Sequence, residues 1–148
     1  MAKERKHRRN YQVFVSHSAA DKDYARQLRN LLLSQQPSLS IFTTSELSAG
    51  DDWKLKLKKA ISDCDFFMVL LSPKSVESNW VLYELGAAWG LQKVIIPVVT
   101  NREIVSRLPV RLSKDQLVDL TDLENADTMN QILEHYEDSI ALGGIRSS

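Results

Sequence analysis

The sequence predicts an α/β protein with a flavodoxin-like, three-layer fold, in which helices cover both faces of a five-stranded parallel sheet of order 2-1-3-4-5. Short apolar runs alternate along the chain with segments whose apolar residues recur at helical spacing. The run 66–71 is apolar throughout, as expected for a central strand that is buried on both faces. The 148 residues, 43% of them hydrophobic, suffice for one domain with a proper core and exclude wholesale disorder.

The first half of the chain should contain two strands and two helices. Residues 13–15 and 39–42 are the strands. The first helix should run from residue 21 to about 33, and Ser18 and Asp21 have the spacing of a capping box at its start. A polar loop, 43–52, then leads into the second helix. The apolar residues at helical spacing are Tyr24, Ala25, Leu28, Leu31 and Leu32 in the first helix, and Trp53, Leu57, Ala60 and Ile61 in the second.

The second half continues the alternation. After the strand 66–71, Ser78 is a favourable N-cap for a helix that contains Trp80 and Glu84. The fourth strand, 94–99, contains Pro97, which favours an edge position or a bulge. Residues 117–120 are a short fifth strand, and 126–142 form a closing amphipathic helix. Right-handed crossovers between these elements give a parallel sheet.

Charge is unevenly distributed although the formal net charge is zero. Basic residues dominate positions 1–10, which we expect to be a disordered arm, whereas residues 115–138 carry eight acids and no Lys or Arg. Residues 11–142 should form the domain, and 143–148 a tail or a linker to another domain. The domain has no basic stripe that would indicate binding to nucleic acid. It also has no apolar run long enough to span a membrane, so we expect a cytoplasmic protein. Cys64 is the single cysteine, which excludes an internal disulfide.

Several site types are excluded by missing residues. No glycine-rich dinucleotide or triphosphate motif is present, and no serine has the surroundings of a hydrolase nucleophile. A phosphoacceptor receiver domain needs an Asp at the end of the third strand, where Leu71 and Ser72 stand. The three histidines are scattered without the spacing of metal ligands, so no metal site is predicted.

Trp80 and Glu84 are the most informative pair in the chain. Four residues apart on a helix, they lie on one face above the small residues Ala87 and Ala88, a slot that suits a planar cation. The spacing fits equally well a helix that packs through Trp80 and points Glu84 to solvent. Trp89 lies on another side of this helix and is expected to be buried packing.

The predicted strand order gives this helix a special position. Ligands of such folds bind beyond the carboxyl ends of the strands, where neighbouring crossovers leave on opposite faces. The segment 16–18 after the first strand, the loop 43–52 after the second, and the helix after the third should therefore converge on one crevice.

Residues 11–141 resemble a Toll/interleukin-1 receptor (TIR) domain of the prokaryotic kind. Four groups of residues in the right order carry this resemblance. They are Phe14-Val15-Ser16-His17-Ser18 with Asp21; Leu47-Ser48-Ala49-Gly50-Asp51-Asp52-Trp53; Leu70-Leu71-Ser72 followed by Ser78-Asn79-Trp80 and Glu84; and Ile95-Ile96-Pro97-Val98. The family also tolerates a proline in its fourth strand.

The resemblance implies an enzyme that hydrolyses or cyclises NAD⁺ as its substrate, with no cofactor. It assigns Glu84 as the catalytic carboxylate, Trp80 to the nicotinamide, and Trp53 with the Gly50 loop to a cover over the site. Ser16, His17 and Ser18 would line the ribose or diphosphate. It further implies activation by self-association, possible attachment to a sensor domain or partner protein, and, in bacteria, a part in antiviral defence. The alternative is a scaffold that signals by TIR–TIR contacts without catalysis.

Overall fold

The computed structural model describes residues 10–46, 52–107 and 117–141, and its sheet has the predicted architecture. Five parallel strands lie in the order β2-β1-β3-β4-β5. Four α-helices connect or follow them, so the predicted flavodoxin-like fold class is confirmed. The strands are β1 (Gln12–Ser16), β2 (Ser40–Thr43), β3 (Phe66–Leu71), β4 (Val94–Val99) and β5 (Val118–Asp119). The helices are α1 (Lys22–Gln35), α2 (Trp53–Asp63), α3 (Asn79–Gly90) and α4 (Ala126–Ala141).

The sheet separates two apolar layers, because successive side chains of a strand point to opposite faces. Val13 and Val15 of β1 pack on the side of α1 and α4, together with the α1 residues Leu28 and Leu32. Phe14 of β1 packs on the other side. That second layer contains Phe67, Val69 and Leu71 of β3, Leu57 and Ile61 of α2, and Val81, Leu85 and Ala88 of α3. Every residue of β3 is buried, as predicted for the central strand.

Pro97 lies within β4 and pairs with Val69 of β3. On its other side β4 pairs with β5 only through Val98 and Val99. At Pro97 the described chain has no strand on the outer side of β4. This is the environment of an edge strand, where the missing N–H of proline costs no hydrogen bond to a neighbouring strand. The fifth strand has two residues rather than four, because the chain turns into a 3-10 helix at Leu120.

One of the two predicted helix N-caps is present in the structure and the other is not. Ser78 caps α3 as predicted, with its hydroxyl accepting from the N–H of Val81 at 3.3 Å. The capping box at Ser18 is wrong: a 3-10 turn precedes α1, and the hydroxyl of Ser18 donates to the Asp21 carboxylate instead of accepting from a backbone N–H. Lys22 is therefore the first residue of α1.

Trp89 is a correction to the sequence prediction, because its side chain is 59% exposed rather than buried. The buried row of α3 is Val81, Glu84, Leu85 and Ala88. Trp89 follows Ala88 by one residue, and a turn of about 100° carries it out of that row to the surface.

Three predicted features lie partly or wholly outside the described residues. They are residues 47–51 of the loop 43–52, which include Gly50, residues 1–9 of the arm 1–10, and the tail 143–148. Within the part of the chain that the structure does describe, no helix combines the length and apolarity needed to cross a bilayer.

Candidate active site

Three segments that are distant in the sequence meet at Glu84. Ser16, the last residue of β1, donates its hydroxyl hydrogen to Oε1 of Glu84 at 2.6 Å. Thr44, the first residue after β2, places its Oγ1 at 3.0 Å and 3.2 Å from the two carboxylate oxygens. The meeting point lies beyond the carboxyl ends of β1 and β2, next to the strand pair β1–β3 where crossovers leave on opposite faces.

Strand alternation explains why these side chains face each other. Phe14 packs on the α2–α3 side of β1, so Ser16, two residues later, points to the same side. Phe42 contacts that layer from β2, and Thr44 follows it by two residues. On α3, Glu84 belongs to the buried row that faces the sheet. The carboxylate therefore stands in a position where the helix pattern would place an apolar residue.

Glu84 is fully buried. Its burial favours the neutral acid and raises the pKa of Glu84 to about 7. Hydrogen bonds from Ser16 and Thr44 oppose this shift because they stabilise the charged form, and the Trp80 indole also lowers the pKa. The Nε1–H of Trp80 is itself buried and makes no hydrogen bond of normal geometry to any described group. Both protonation states of the carboxyl group are thus accessible near neutral pH.

An aromatic cluster stands beside the carboxylate. The rings of Trp53 at the start of α2 and Trp80 on α3 have centroids 5.3 Å apart at an angle of 54°. Tyr83 stacks on Trp80 from the next turn, with centroids 6.0 Å apart, and Nζ of Lys54 lies 5.7 Å from the centre of the Trp53 ring. The fold thus brings together Trp53, for which the resemblance implies a cover over the site, and Trp80, for which it implies stacking on the nicotinamide.

His17 and Ser18 are buried next to Ser16, but their polar atoms bond elsewhere. The ring of His17 bonds the carbonyl oxygen of Ser18 through Nδ1 at 2.8 Å, which makes Nδ1 the donor. Its Nε2 is buried without a partner in the described chain. Ser18 and Ser72 both donate to Oδ2 of Asp21, at 2.9 Å and 2.6 Å. This network joins the ends of β1 and β3.

The structure therefore sorts the predicted site residues into three groups. Glu84, Ser16, Trp80 and Trp53 are brought together, His17 and Ser18 lie alongside with their hydrogen bonds directed into the protein, and Gly50 is outside the described residues. The interpretation that points Glu84 to solvent is wrong. The open slot above Ala87 and Ala88 is also absent from this conformation, because Glu84 and Ala88 are both buried.

Thr44 contacts the carboxylate of the candidate site and is not among the residues that the sequence predicts for it. It was part of a polar loop with no motif of its own, although extending the alternation of Phe42 by two residues would have placed it on the same face as Ser16. Its hydroxyl also accepts from the N–H of His17 at 3.2 Å, so it ties the end of β1 to the carboxylate.

The donor set does not suit a metal. The described residues contain no group of three or more His, Cys, Asp or Glu side chains placed to hold an ion. Among the described residues, the groups around Glu84 are hydroxyl and indole donors, which stabilise a negative charge, and the carboxylate is the one group of this set that is able to face a cation. The arrangement can stabilise positive charge in a bound molecule or accept a proton from it.

Comparison with known proteins gives a consistent result. The sequence model of the TIR domain family matches residues 13–133. The 2' cyclic ADP-D-ribose synthase BtTIR of Bacteroides thetaiotaomicron is 29% identical over 109 residues, which cover 68% of this chain and 38% of that protein. The NAD(+) hydrolase TirS of Staphylococcus aureus is 30% identical over 131 residues, which cover 84% of this chain and 45% of TirS. This chain thus spans less than half the length of either relative.

Among solved structures, a metazoan TIR-STING receptor from C. gigas superimposes with a TM-score of 0.65 at 22% identity, covering 83% of this chain and 39% of that one. That likeness concerns the fold, and it agrees with the sheet order and helix positions described above. Because the family model covers most of the sequence and the parallel sheet has the matching architecture, this chain belongs to the TIR domain family.

Proposed function

We propose that this domain cleaves the bond between nicotinamide and ribose in NAD⁺. The observation that carries the proposal is the buried carboxylate of Glu84, held by Ser16 and Thr44 beyond the carboxyl ends of the strands. Two relatives named for reactions of NAD⁺ or ADP-ribose support it. Because this chain spans less than half of each relative, the proposal concerns the domain and its chemistry.

A single carboxylate is sufficient for this reaction. The nicotinamide of NAD⁺ is a pyridinium cation, so when the glycosidic bond breaks its electron pair neutralises the ring nitrogen and no general acid is needed. Positive charge then develops at the anomeric carbon of the ribose, as in glycoside hydrolysis. Glu84 in its charged form would stabilise that oxocarbenium-like carbon through the ribose hydroxyls. Attack by water gives ADP-ribose and attack by a hydroxyl of the same molecule gives a cyclic ADP-ribose isomer, and in both cases the attacking oxygen releases one proton.

The neighbouring residues have supporting roles in this proposal. Trp80, with Trp53 against it, would hold the planar nicotinamide by stacking, and Ser16 would keep the carboxylate oriented. His17, Ser18 and the Gly50 loop stay predictions for the ribose and diphosphate. Thr44 covers the carboxylate in this conformation, so substrate access requires the segment that begins at Thr44 to withdraw from Glu84.

This closed arrangement favours activation by self-association. A buried Glu84 cannot touch the ribose, and contact with a neighbouring copy is one way to stabilise the open position of the Thr44 segment. A sensor domain or partner protein that clusters the chains would act in the same way. The cytoplasm, where NAD⁺ is abundant, is the compartment that we propose for such a reaction.

The second candidate function is a TIR scaffold that assembles and signals without catalysis. The full burial of Glu84 is the observation in its favour, since a carboxylate that stays covered would only shape the interior. The two functions differ in whether any assembled state of the protein consumes NAD⁺.

The test is to incubate the purified protein with NAD⁺ over a range of protein concentrations and to quantify released nicotinamide. Glu84→Gln keeps the size of the side chain and removes its charge, so it should lower turnover by at least about 100-fold. Leu55→Gln is a control on an exposed residue of α2 that leaves the carboxylate untouched. Turnover by Glu84→Gln equal to that of the wild type would refute the catalytic role. Absence of turnover in assembled wild-type protein would favour the scaffold.

A further inference from the structure

A polar cavity of about 440 Å³ lies on the side of the sheet opposite Glu84, between α1 and the end of β2. We call it the α1 cavity. Its volume falls within the usual range of small-molecule sites, which is about 300–1,000 Å³. The lining residues are Lys22, Ala25, Arg26 and Arg29 of α1, and Thr43, Ser45 and Glu46 after β2.

The position on the opposite face follows from strand alternation. Ile41 packs with the α1–α4 layer, and Thr43, two residues later, lines the α1 cavity. Phe42 and Thr44 point to the α2–α3 layer, where Thr44 contacts Glu84. The α1 cavity and the candidate active site are thus separated by the end of β2, and a ligand in one does not fill the other.

The charge of the α1 cavity is strongly positive. Lys22, Arg26 and Arg29 recur at i, i+4 and i+7, so all three lie on one face of α1. Lys22 and Arg29 have no ion-pair partner in the described parts of the chain. Arg26 has only an exposed contact with Asp23 at 3.6 Å, which contributes little.

The polar atoms after β2 complete this site. Glu46 is the one acid among the lining residues, and its Oε2 already accepts from the N–H of Thr43 at 2.6 Å. The hydroxyls of Thr43 and Ser45 lie 2.8 Å apart and share a hydrogen bond, which leaves one hydroxyl hydrogen available for a ligand.

This donor set suits a ligand with several anionic oxygens. Two guanidinium groups offer paired N–H donors to phosphate oxygens, the lysine adds a point charge, and hydroxyls donate to the remaining oxygens. Three cations against one engaged carboxylate suit a ligand with two or more negative charges. We propose that the α1 cavity binds a ligand that carries two phosphate groups, either joined as a diphosphate or on neighbouring positions of a headgroup, at a site separate from the one assigned to NAD⁺ cleavage.

The proposal is tested by calorimetric titration of the full chain with inorganic pyrophosphate at low ionic strength. Wild-type protein should bind saturably at one site per chain, and Arg29→Gln should weaken binding at least tenfold. Lys22→Gln should also weaken it, whereas Lys58→Gln is the charge-matched control. Lys58 is an exposed helical lysine outside the α1 cavity, and its substitution should change Kd less than twofold.

Further arms identify the site and the source of the phosphate. Glu84→Gln should leave the Kd for pyrophosphate unchanged, because Glu84 lies on the opposite side of the sheet from the α1 cavity. Flotation with vesicles that contain phosphatidylinositol bisphosphate distinguishes a lipid headgroup from a free ligand. Binding in the titration or in the flotation that Arg29→Gln loses supports the phosphate site. No saturable binding in both arms, equal weakening by Lys58→Gln, or loss of binding in Glu84→Gln would overturn the proposal. None of these outcomes depends on NAD⁺ turnover.

Discussion

Glu84 shows how one residue combines a cost in stability with a chemical capability. Its carboxyl group is buried beneath Thr44 and Ser16, and this burial raises its pKa to about 7. A glutamate at the surface would be charged at neutral pH and solvated by water. In the interior, two hydroxyl donors replace that water only in part. The protonated and the charged form of the carboxyl group are therefore close in free energy at neutral pH.

This pKa predicts the pH dependence of stability. The folded protein keeps the Glu84 proton up to about pH 7, whereas the unfolded chain releases it near the ordinary value of 4.5. The folded state binds more protons between these values, so the free energy of unfolding falls as pH rises through this range, by up to about 3 kcal/mol. Glu84→Gln removes this dependence and should be more stable than the wild type above pH 7.

Urea denaturation of both proteins at pH 5 and pH 8 measures that difference. The advantage of Glu84→Gln should be larger at pH 8 than at pH 5 by more than about 1 kcal/mol, a fraction of the full linkage. An advantage of equal size at both pH values would mean that Glu84 does not titrate with a raised pKa in the folded protein.

The ionisation of Glu84 that lowers the stability of the folded protein should raise its catalytic activity. The role proposed for Glu84, to stabilise a cationic transition state, requires its charged form, so kcat/KM for NAD⁺ should rise with pH to a plateau, with a midpoint near the pKa of about 7. Thr44→Val removes a hydrogen bond that favours the charged form and should move the midpoint to higher pH. The comparison is a pH–rate profile for each protein.

Thr128→Val is the matched control for that experiment. Thr128 lies in the first turn of α4, and its hydroxyl donates to the carbonyl oxygen of Asp122 at 2.7 Å, so the variant loses a comparable hydrogen bond without touching Glu84. Its midpoint should equal that of the wild type. If Thr44→Val also keeps the wild-type midpoint, Thr44 does not tune the carboxylate.

At the scale of an element, α3 presents a buried row of side chains to the sheet and a group of aromatic side chains beside that row. Its buried row, which includes Val81, Leu85 and Ala88, packs against the sheet and also holds Glu84. Trp80 and Tyr83 lie to one side of that row and form the aromatic cluster with Trp53. The helix therefore packs through small and aliphatic side chains, and its large aromatic residues remain partly or largely accessible.

This division predicts unequal effects of substitution along α3. Trp89 is 59% exposed, so Trp89→Ala should change the free energy of unfolding by less than about 1 kcal/mol despite the large volume removed. Leu85 is buried, and Leu85→Ala should cost about 2–5 kcal/mol. Thermal and urea unfolding of the two variants provide the comparison. A loss for Trp89→Ala as large as that for Leu85→Ala would show that Trp89 is buried in solution.

At the scale of the whole molecule, the closed state of Glu84 links the proposed activity to the proposed assembly. A monomer in this conformation keeps Thr44 over the carboxylate, so the proposed reaction needs an interaction that favours the open state. The chain carries opposite charges suited to such contacts, because its first ten residues are basic and residues 115–138 are acidic.

Specific activity should consequently rise with protein concentration, and added salt should weaken the rise if charge contributes to assembly. Turnover is measured over a hundredfold concentration range with light scattering on the same samples. Specific activity that is constant while the protein remains monomeric would rule out activation by assembly. A β-branched substitution at Gly50, which lies outside the described residues, should impair assembly and turnover together.

The sequence by itself determined the elements and the sheet. Alternating apolar runs and helical spacing located five strands and four helices, and the short apolar run of β3 identified the central strand. These patterns are local, since they reflect the repeat of a strand or a helix and the need to bury one face. Glu84, Trp80, Ser16 and Trp53 could likewise be named from motifs, and the fold brought them together.

Only the tertiary structure decided how each of these side chains is used. The helical pattern could not say whether Glu84 faced water or the sheet, because a charged residue in a buried row is acceptable only where other segments supply donors. Those donors come from Ser16 and Thr44, 68 and 40 residues away in the sequence. The exposure of Trp89 and the cations of the α1 cavity have the same origin, since burial and charge clustering depend on which surfaces the folded chain brings into contact.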